Sequence, residues 1–259
     1  GDVDQLLARL KRRIPADAAP LHRLRTLNQF FFRDLSFGGN VNDYYDPDNS
    51  YLNAVLRTRR GIPISLAVLW MELAQGLGLH ARGVAFPGHF MVKVNLPKGQ
   101  VVIDPFTGQS LSREELAERL EPYRRRSGLV DEFEVPLGLY LQAAPSRDII
   151  ARMLRNLKEI HRTQQDWPRV VAVQDRLIVL LPDDGRSPAD LHLIDPVLER
   201  RHSSLASARS TYRSQGRVRV GLQLLENSVG PLTHMTQFHR AMHVLAAWLG
   251  ATDDQQGGT

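Results

Sequence analysis

Three short motifs in one order carry the residue types of acyl chemistry: GIPIS at 61–65, FPGHF at 86–90 and IDPF at 103–106. The first opens an apolar stretch of helical composition, the second leads into a strand from His89, and the third ends a strand on Asp104. A helix N-terminus stabilises the anion of a nucleophile, a base on a neighbouring strand takes its proton, and a carboxylate fixes the tautomer of that base. Ser65, His89 and Asp104 fit those roles by type and order, and would make the chain a hydrolase or acyltransferase. Each also has an ordinary role. A Ser in a first helical turn bonds backbone groups, and a His–Asp pair pins two strands together. Serine is a much weaker nucleophile than a thiolate and needs a close base and an oxyanion hole.

A second set of candidates lies in SFGGNVNDYYDPDNS, residues 36–50, where Gly, Asn, Asp and Pro predict an ordered loop built from turns. Loops of this length in compact domains are usually functional. Asn40 could donate to an oxyanion or close a turn, and Tyr44, Tyr45 and Asn49 could line a binding cleft or pack the loop. Arg59 and Arg60 precede a helix start, where a cation gains nothing from the dipole, so an ion pair or an acidic ligand would explain them. Asn40, Tyr44, Tyr45, Asn49 and Arg60 are the expected cleft residues.

Metal and cofactor chemistry is not expected. His80, His89 and Asp104 lack the spacing that puts two imidazoles on one helix face, and His239 and His243 in HRAMH lack the Glu of a zinc protease. Neither G-x-x-x-x-G-K-[ST] nor G-x-G-x-x-G occurs. The 259 residues contain no cysteine, which excludes disulfides, thiolate zinc sites and a cysteine nucleophile. With 42% hydrophobic residues the chain can bury a substantial core. No apolar run reaches the roughly 20 residues of a membrane helix, and GDVDQLLARLKRR lacks the order of a signal peptide, so a cytoplasmic location is expected. The chain opens with Gly rather than Met, so a start introduced for expression or a trimmed N-terminus is expected. The net charge of +5 is concentrated at 196–250, where seven Arg face only Glu199 and Glu226. A solvated arginine-rich surface accounts for it, and nucleic acid is not an expected partner.

The elements that must position these residues follow from hydrophobic spacing. Val3, Leu6, Leu7 and Leu10 predict an amphipathic helix over 2–13, and Leu21, Leu24, Leu27, Phe30 and Phe31 predict a second over 20–34. A short helix within 50–60 is expected to end at Gly61. IPISLAVLWMELAQGLGL is apolar on all sides, starts with Pro63 and ends at Gly76 and Gly78, so it reads as a buried helix. Strands are predicted at 81–86, 89–96 and 100–106, the last two joined by the turn PKG at 97–99, giving an antiparallel sheet on that helix. Ser112 and Glu115 make a capping box for a helix over 111–120, followed by a solvated turn at 124–126. Two amphipathic helices at 148–161 and 167–181 form a helical hairpin of tetratricopeptide size. Residues 187–259 read as helical without that repeat spacing.

The runs FGGN, YDPDNSYLNAVLRTRRGIPISLAVLWMELAQGLGL, FPGHFMVKV and IDPFTGQ, in this order between about 27 and 120, resemble the transglutaminase-like domain of the SirB1 family. The resemblance implies a transglutaminase/papain-like core followed by tetratricopeptide repeats, with His89 in the base position and Asp104 in the orienting position. Where such a domain has its cysteine, this chain has Pro63, Ile64 and Ser65. The expected fold is therefore α+β, with a transglutaminase-like domain at 1–145 and a helical tetratricopeptide-like region at 146–259. The expected function is a non-catalytic regulatory module that binds a protein or peptide, the alternative being the hydrolase or acyltransferase that uses Ser65.

Overall fold

The computed structural model describes residues 1–126 and 136–181. The chain divides into two units, Gly1–Arg176 and Leu177–Thr259, and the second lies beyond residue 181 outside the described residues. The first unit opens with helix α1 (Asp2–Lys11), which buries Leu6 and Leu10. Helix α2 (Pro20–Asn28) continues into a wider π-helical turn, Gln29–Asp34, that buries Phe30 and Phe31. Strand β1 (Gly38–Gly39), a 3₁₀ turn at Pro47–Asn49, helix α3 (Leu52–Thr58) and strand β2 (Arg60–Gly61) then bring the chain to helix α4 (Pro63–Gly76).

Helix α4 is the centre of the unit because its sequence leaves no polar face. Every residue from Pro63 to Met71 is buried, and Trp70 is fully so. Burying an indole without a partner for its N–H is costly. Trp70 Nε1 meets that requirement by donating to Asn28 Oδ1 at 3.0 Å. Pro63 occupies the first helical position, where the missing N–H costs nothing. Leu77 follows the last turn and Gly78 takes a left-handed φ of 73°, as expected of a glycine that stops a helix.

Against α4 lies an antiparallel sheet in the order β3 (His80–Val84), β4 (Met91–Leu96), β5 (Gly99–Asp104) and β6 (Gln109–Leu111). The other face is covered by a cluster of Val84, Phe86, Met91, Val102, Leu116, Leu120 and Leu141, in which Leu116 and Leu120 come from helix α5 (Arg113–Arg126). Side chains alternate along a strand, so Asp104 falls on the same side of β5 as Val102, beneath α5. That alternation is what brings the carboxylate under Arg119. After helix α6 (Leu137–Tyr140), the chain touches β3 again through the bridge Val84↔Ala143. Helix α7 (Ser146–Thr163) buries Ile149, Ile150, Met153, Leu154, Leu157 and Ile160, packs against α4 and the 3₁₀ turn, and belongs to the first unit. Helix α8 (Trp167–Leu180) follows.

The mixture of helices and a small sheet agrees with the α+β expectation, and the structure corrects several local readings. The α3 helix ends at Arg59 in a left-handed conformation, φ 61°, rather than at Gly61, which pairs in β2. The arginines at 124–126 lie in α5, which runs well past residue 120; the sequence signal for a turn was only their charge, and a helix carries charged residues equally well. Strand β6 was not foreseen because three residues carry too little alternation to register. The link between α7 and α8 is three residues, 164–166, because Gln165 turns in the left-handed region and Asp166 caps α8 by accepting from Arg169 N. The reading of 187–259, with its arginine-rich surface and the pair His239 and His243, lies outside the described residues.

Candidate functional site

His89 and Asp104 come together as the motif order implies. His89 Nε2 and Asp104 Oδ1 are 2.8 Å apart, with the His side chain 24% exposed and the Asp side chain 3%. The backbone N–H of Phe106 donates to the same Oδ1 at 2.9 Å, and Arg119 Nη1 donates to Oδ2 at 3.0 Å. Burial raises the pKa of Asp104. The bond and charge of His89, the Phe106 amide and Arg119 together outweigh that penalty and hold it down at about 2. The carboxylate is thus ionised throughout the neutral range and anchored on both oxygens. His89 is fixed from behind as well: its N–H donates to Phe86 O at 3.0 Å, and its carbonyl accepts from Arg152 Nη2 on α7 at 3.0 Å.

Glycines let the loops close round this pair. Gly88 has φ 67° in the turn before His89, and a Cβ there would overlap the Tyr123 hydroxyl. At Gly39 a Cβ would overlap the Phe106 ring, and Gly39 N donates to Phe106 O at 2.9 Å. The Gly-rich loop is thereby laid directly on the segment that follows Asp104.

Ser65 is placed differently. Its side chain is fully buried, its Oγ lies 2.6 Å from Asn49 O and 3.0 Å from Ile62 O as donor, and it accepts from Ile62 N at 3.1 Å. These are the bonds of a helix-capping serine at the third helical position, reaching back to the residue before the helix. The hydroxyl is committed to backbone on both its donor and acceptor sides. The structure therefore joins His89 with Asp104, and joins Ser65 with Asn49 and Ile62.

The cleft candidates divide in the same way. Asn49 is 2% exposed and donates through Nδ2 to Asp43 O at 2.6 Å and Tyr44 O at 3.2 Å, while its Oδ1 accepts from Asn40 Nδ2 at 3.0 Å. Asn40 Oδ1 in turn accepts from Asp43 N at 3.2 Å, so both asparagines knit the loop. Arg60 Nη1 donates to Ser36 O at 2.6 Å and to Arg59 O at 3.3 Å, which holds the loop's first turn. Tyr44 and Tyr45 are exposed, edge to face with ring centroids 5.4 Å apart, and Tyr44 lies 6.0 Å from the Phe106 ring. Tyr44, unlike the asparagines, presents surface beside Phe106, two residues after Asp104, and Tyr45 extends that surface. Sequence reasoning missed Arg119 and Arg152. Arg119 had a usable signal, since it adjoins Leu120 and follows Leu116 on a helix whose apolar face must meet the sheet. Among the described residues, no group of three or more His, Asp or Glu side chains is placed to hold a metal ion.

The motifs that build this site are matched by a family model: residues 1–155 fit that of the transglutaminase-like superfamily. The chain belongs to this superfamily. Its match extends well beyond the 27–120 stretch whose motifs carry the resemblance, taking in α1 and the first half of α7. A UPF0162 protein of Xylella fastidiosa is 39% identical over 184 residues, covering 71% of this chain and 64% of that protein. A UPF0162 protein of Vibrio cholerae is 26% identical over 216 residues, covering 83% and 77%. These homologues are of the SirB1 type. F-box only protein 21 of Mus musculus is 40% identical over 70 residues, covering 27% of this chain and 11% of that protein. The chain spans less than two thirds of the Xylella relative's length. No solved structure matches it. Among the described residues no helix is long and apolar enough to cross a membrane.

Proposed function

We propose that this transglutaminase-like domain is a non-catalytic, regulatory binding module whose His89–Asp104 site receives a protein or peptide. The observation that carries the reading is the state of Ser65: the chain has no cysteine, and the hydroxyl at the start of the buried helix is fully buried and bonded to backbone. A nucleophile needs a hydroxyl free to give its proton to a base and open to a substrate, and while α4 keeps its cap this hydroxyl is buried and bonded to backbone as donor and as acceptor. The exposed Tyr44 and Tyr45 supply the amphipathic aromatic surface on which polypeptides commonly dock. The tetratricopeptide-like helices from 146 onward and a cytoplasmic location are parts of the same proposal.

The test is a screen of ester and amide substrates on the native chain and on His89→Ala, run beside capture of an immobilised peptide pool. Rates equal to background for both proteins, with peptides retained by the native chain, are expected. Turnover by the native chain that His89→Ala abolishes would overturn the reading.

A further inference from the structure

The two arginines at the site are in opposite situations. Arg119 has a carboxylate, Asp104 Oδ2 at 3.0 Å. Arg152 has none among the described residues. Among the described residues its hydrogen bond runs from Nη2 to the carbonyl of His89, and its guanidinium lies over the Phe90 ring, 5.6 Å from the centroid. Nε and Nη1 have no acceptor among the described residues. Arg152 is nonetheless half-buried, and burial lowers its pKa, with the Tyr44 phenol as the group that offsets this. A partly desolvated cation is costly unless an anion or hydrogen-bond acceptors compensate it.

The charges around His89 sharpen the point. Asp104 and Arg119 cancel one another, so that among the described residues no carboxylate balances the charge of Arg152, which bonds the carbonyl of the 24%-exposed His89 and interacts with Tyr44. A guanidinium held by a stacked ring and one carbonyl presents its remaining N–H groups in a fixed plane, the geometry that takes a carboxylate through paired bonds. Resting on the binding-module reading above, we propose that Arg152 is the carboxylate anchor of this site, receiving an acidic side chain or a C-terminal carboxylate of the bound polypeptide next to His89. Arg152 fixes the ligand's orientation, and Tyr44 and Tyr45 supply contact area for the residues around it.

The experiment follows the His89 imidazole by NMR in the full chain with ¹³C-labelled histidine, assigning the signal with His89→Gln. Three probes are titrated at constant ionic strength: N-acetylalanine for a C-terminal carboxylate, N-acetylglutamic acid α-amide for an acidic side chain, and neutral N-acetylalanine amide. The His89 signal should move saturably with at least one charged probe and not with the neutral one, and the tighter charged probe identifies the source of the carboxylate. Arg152→Gln should weaken the charged probe by about tenfold or more, while Arg155→Gln, exposed on the same helix, should leave it unchanged. Equal responses to charged and neutral probes, or unchanged charged-probe affinity in Arg152→Gln, would overturn the proposal. Should Arg152→Gln not fold, the charged-against-neutral contrast in the native chain decides alone. Ester or amide turnover would overturn the non-catalytic reading and leave the anchor standing, whereas indifference to probe charge would remove the anchor and leave that reading intact.

Discussion

The sheet side and the helix side of the site are wired for different purposes. On the sheet side, Asp104 is buried, ionised and bonded on both oxygens, and it holds an imidazole that is partly open to solvent. On the helix side, Ser65 is sealed and its hydroxyl bonds only backbone. A hydroxyl that caps a helix and a hydroxyl that attacks a carbonyl need incompatible surroundings, since the first requires satisfied bonds and the second an open approach. The fold thus holds a bonded His–Asp pair on one side while the Ser65 hydroxyl on the other side caps a helix.

The largest effect that would sharpen this contrast is expected from Asp104→Asn. It removes a buried carboxylate that bonds His89, Arg119 and the Phe106 amide, and should lower unfolding free energy in urea at neutral pH by about 3 kcal/mol. A change below the error of the measurement would break the claim that this carboxylate anchors the sheet side. Next is the acid response. Asp104 has a folded pKa of about 2, below its ordinary 3.8, so its contribution is complete above about pH 4 and is lost as pH falls toward 2. The loss should be about 2 kcal/mol. Stability measured from pH 5 to pH 2 should fall less steeply in Asp104→Asn than in the native chain.

Ser65→Ala is expected to cost about 1 kcal/mol through the lost cap, since Ile62 N–H keeps its bond to Asn49 O, and should leave peptide capture unaltered. A loss of capture equal to that of a His89 variant would join the two sides that the geometry separates. The smallest effect belongs to Arg60→Ala, whose exposed side chain bonds Ser36 O at the loop's edge; thermal unfolding should register no more than about 0.5 kcal/mol.

How far the sequence foretold this arrangement depended on the range of the interaction. The α4 helix was legible because an all-apolar stretch bounded by Pro63 and Gly78 has one stable solution, and the Ser112–Glu115 capping box was legible because its bonds span three residues. The His89–Asp104 pair came from motif order, with two adjacent strands making the contact. Ser65 could be placed in the first turn of the helix but not given its partners, because Asn49 O reaches it from sixteen residues upstream. Arg152 was invisible for the same reason on a larger scale. It meets His89 across 63 residues, and nothing in the spacing of α7 distinguishes that arginine from Arg155, which is exposed. The asparagines were correctly put in an ordered loop, yet only the register of Asn40 on Asn49 shows them to be its internal ties.

The central claim concerns the helix side and is tested most directly by a fluorophosphonate, which bonds covalently to an activated serine. Incubated with the native chain and read by mass spectrometry of proteolytic peptides, it should leave the peptide containing Ser65 unmodified, in the native chain and in His89→Ala alike. Stoichiometric modification of Ser65 in the native chain, abolished by His89→Ala, would contradict the account.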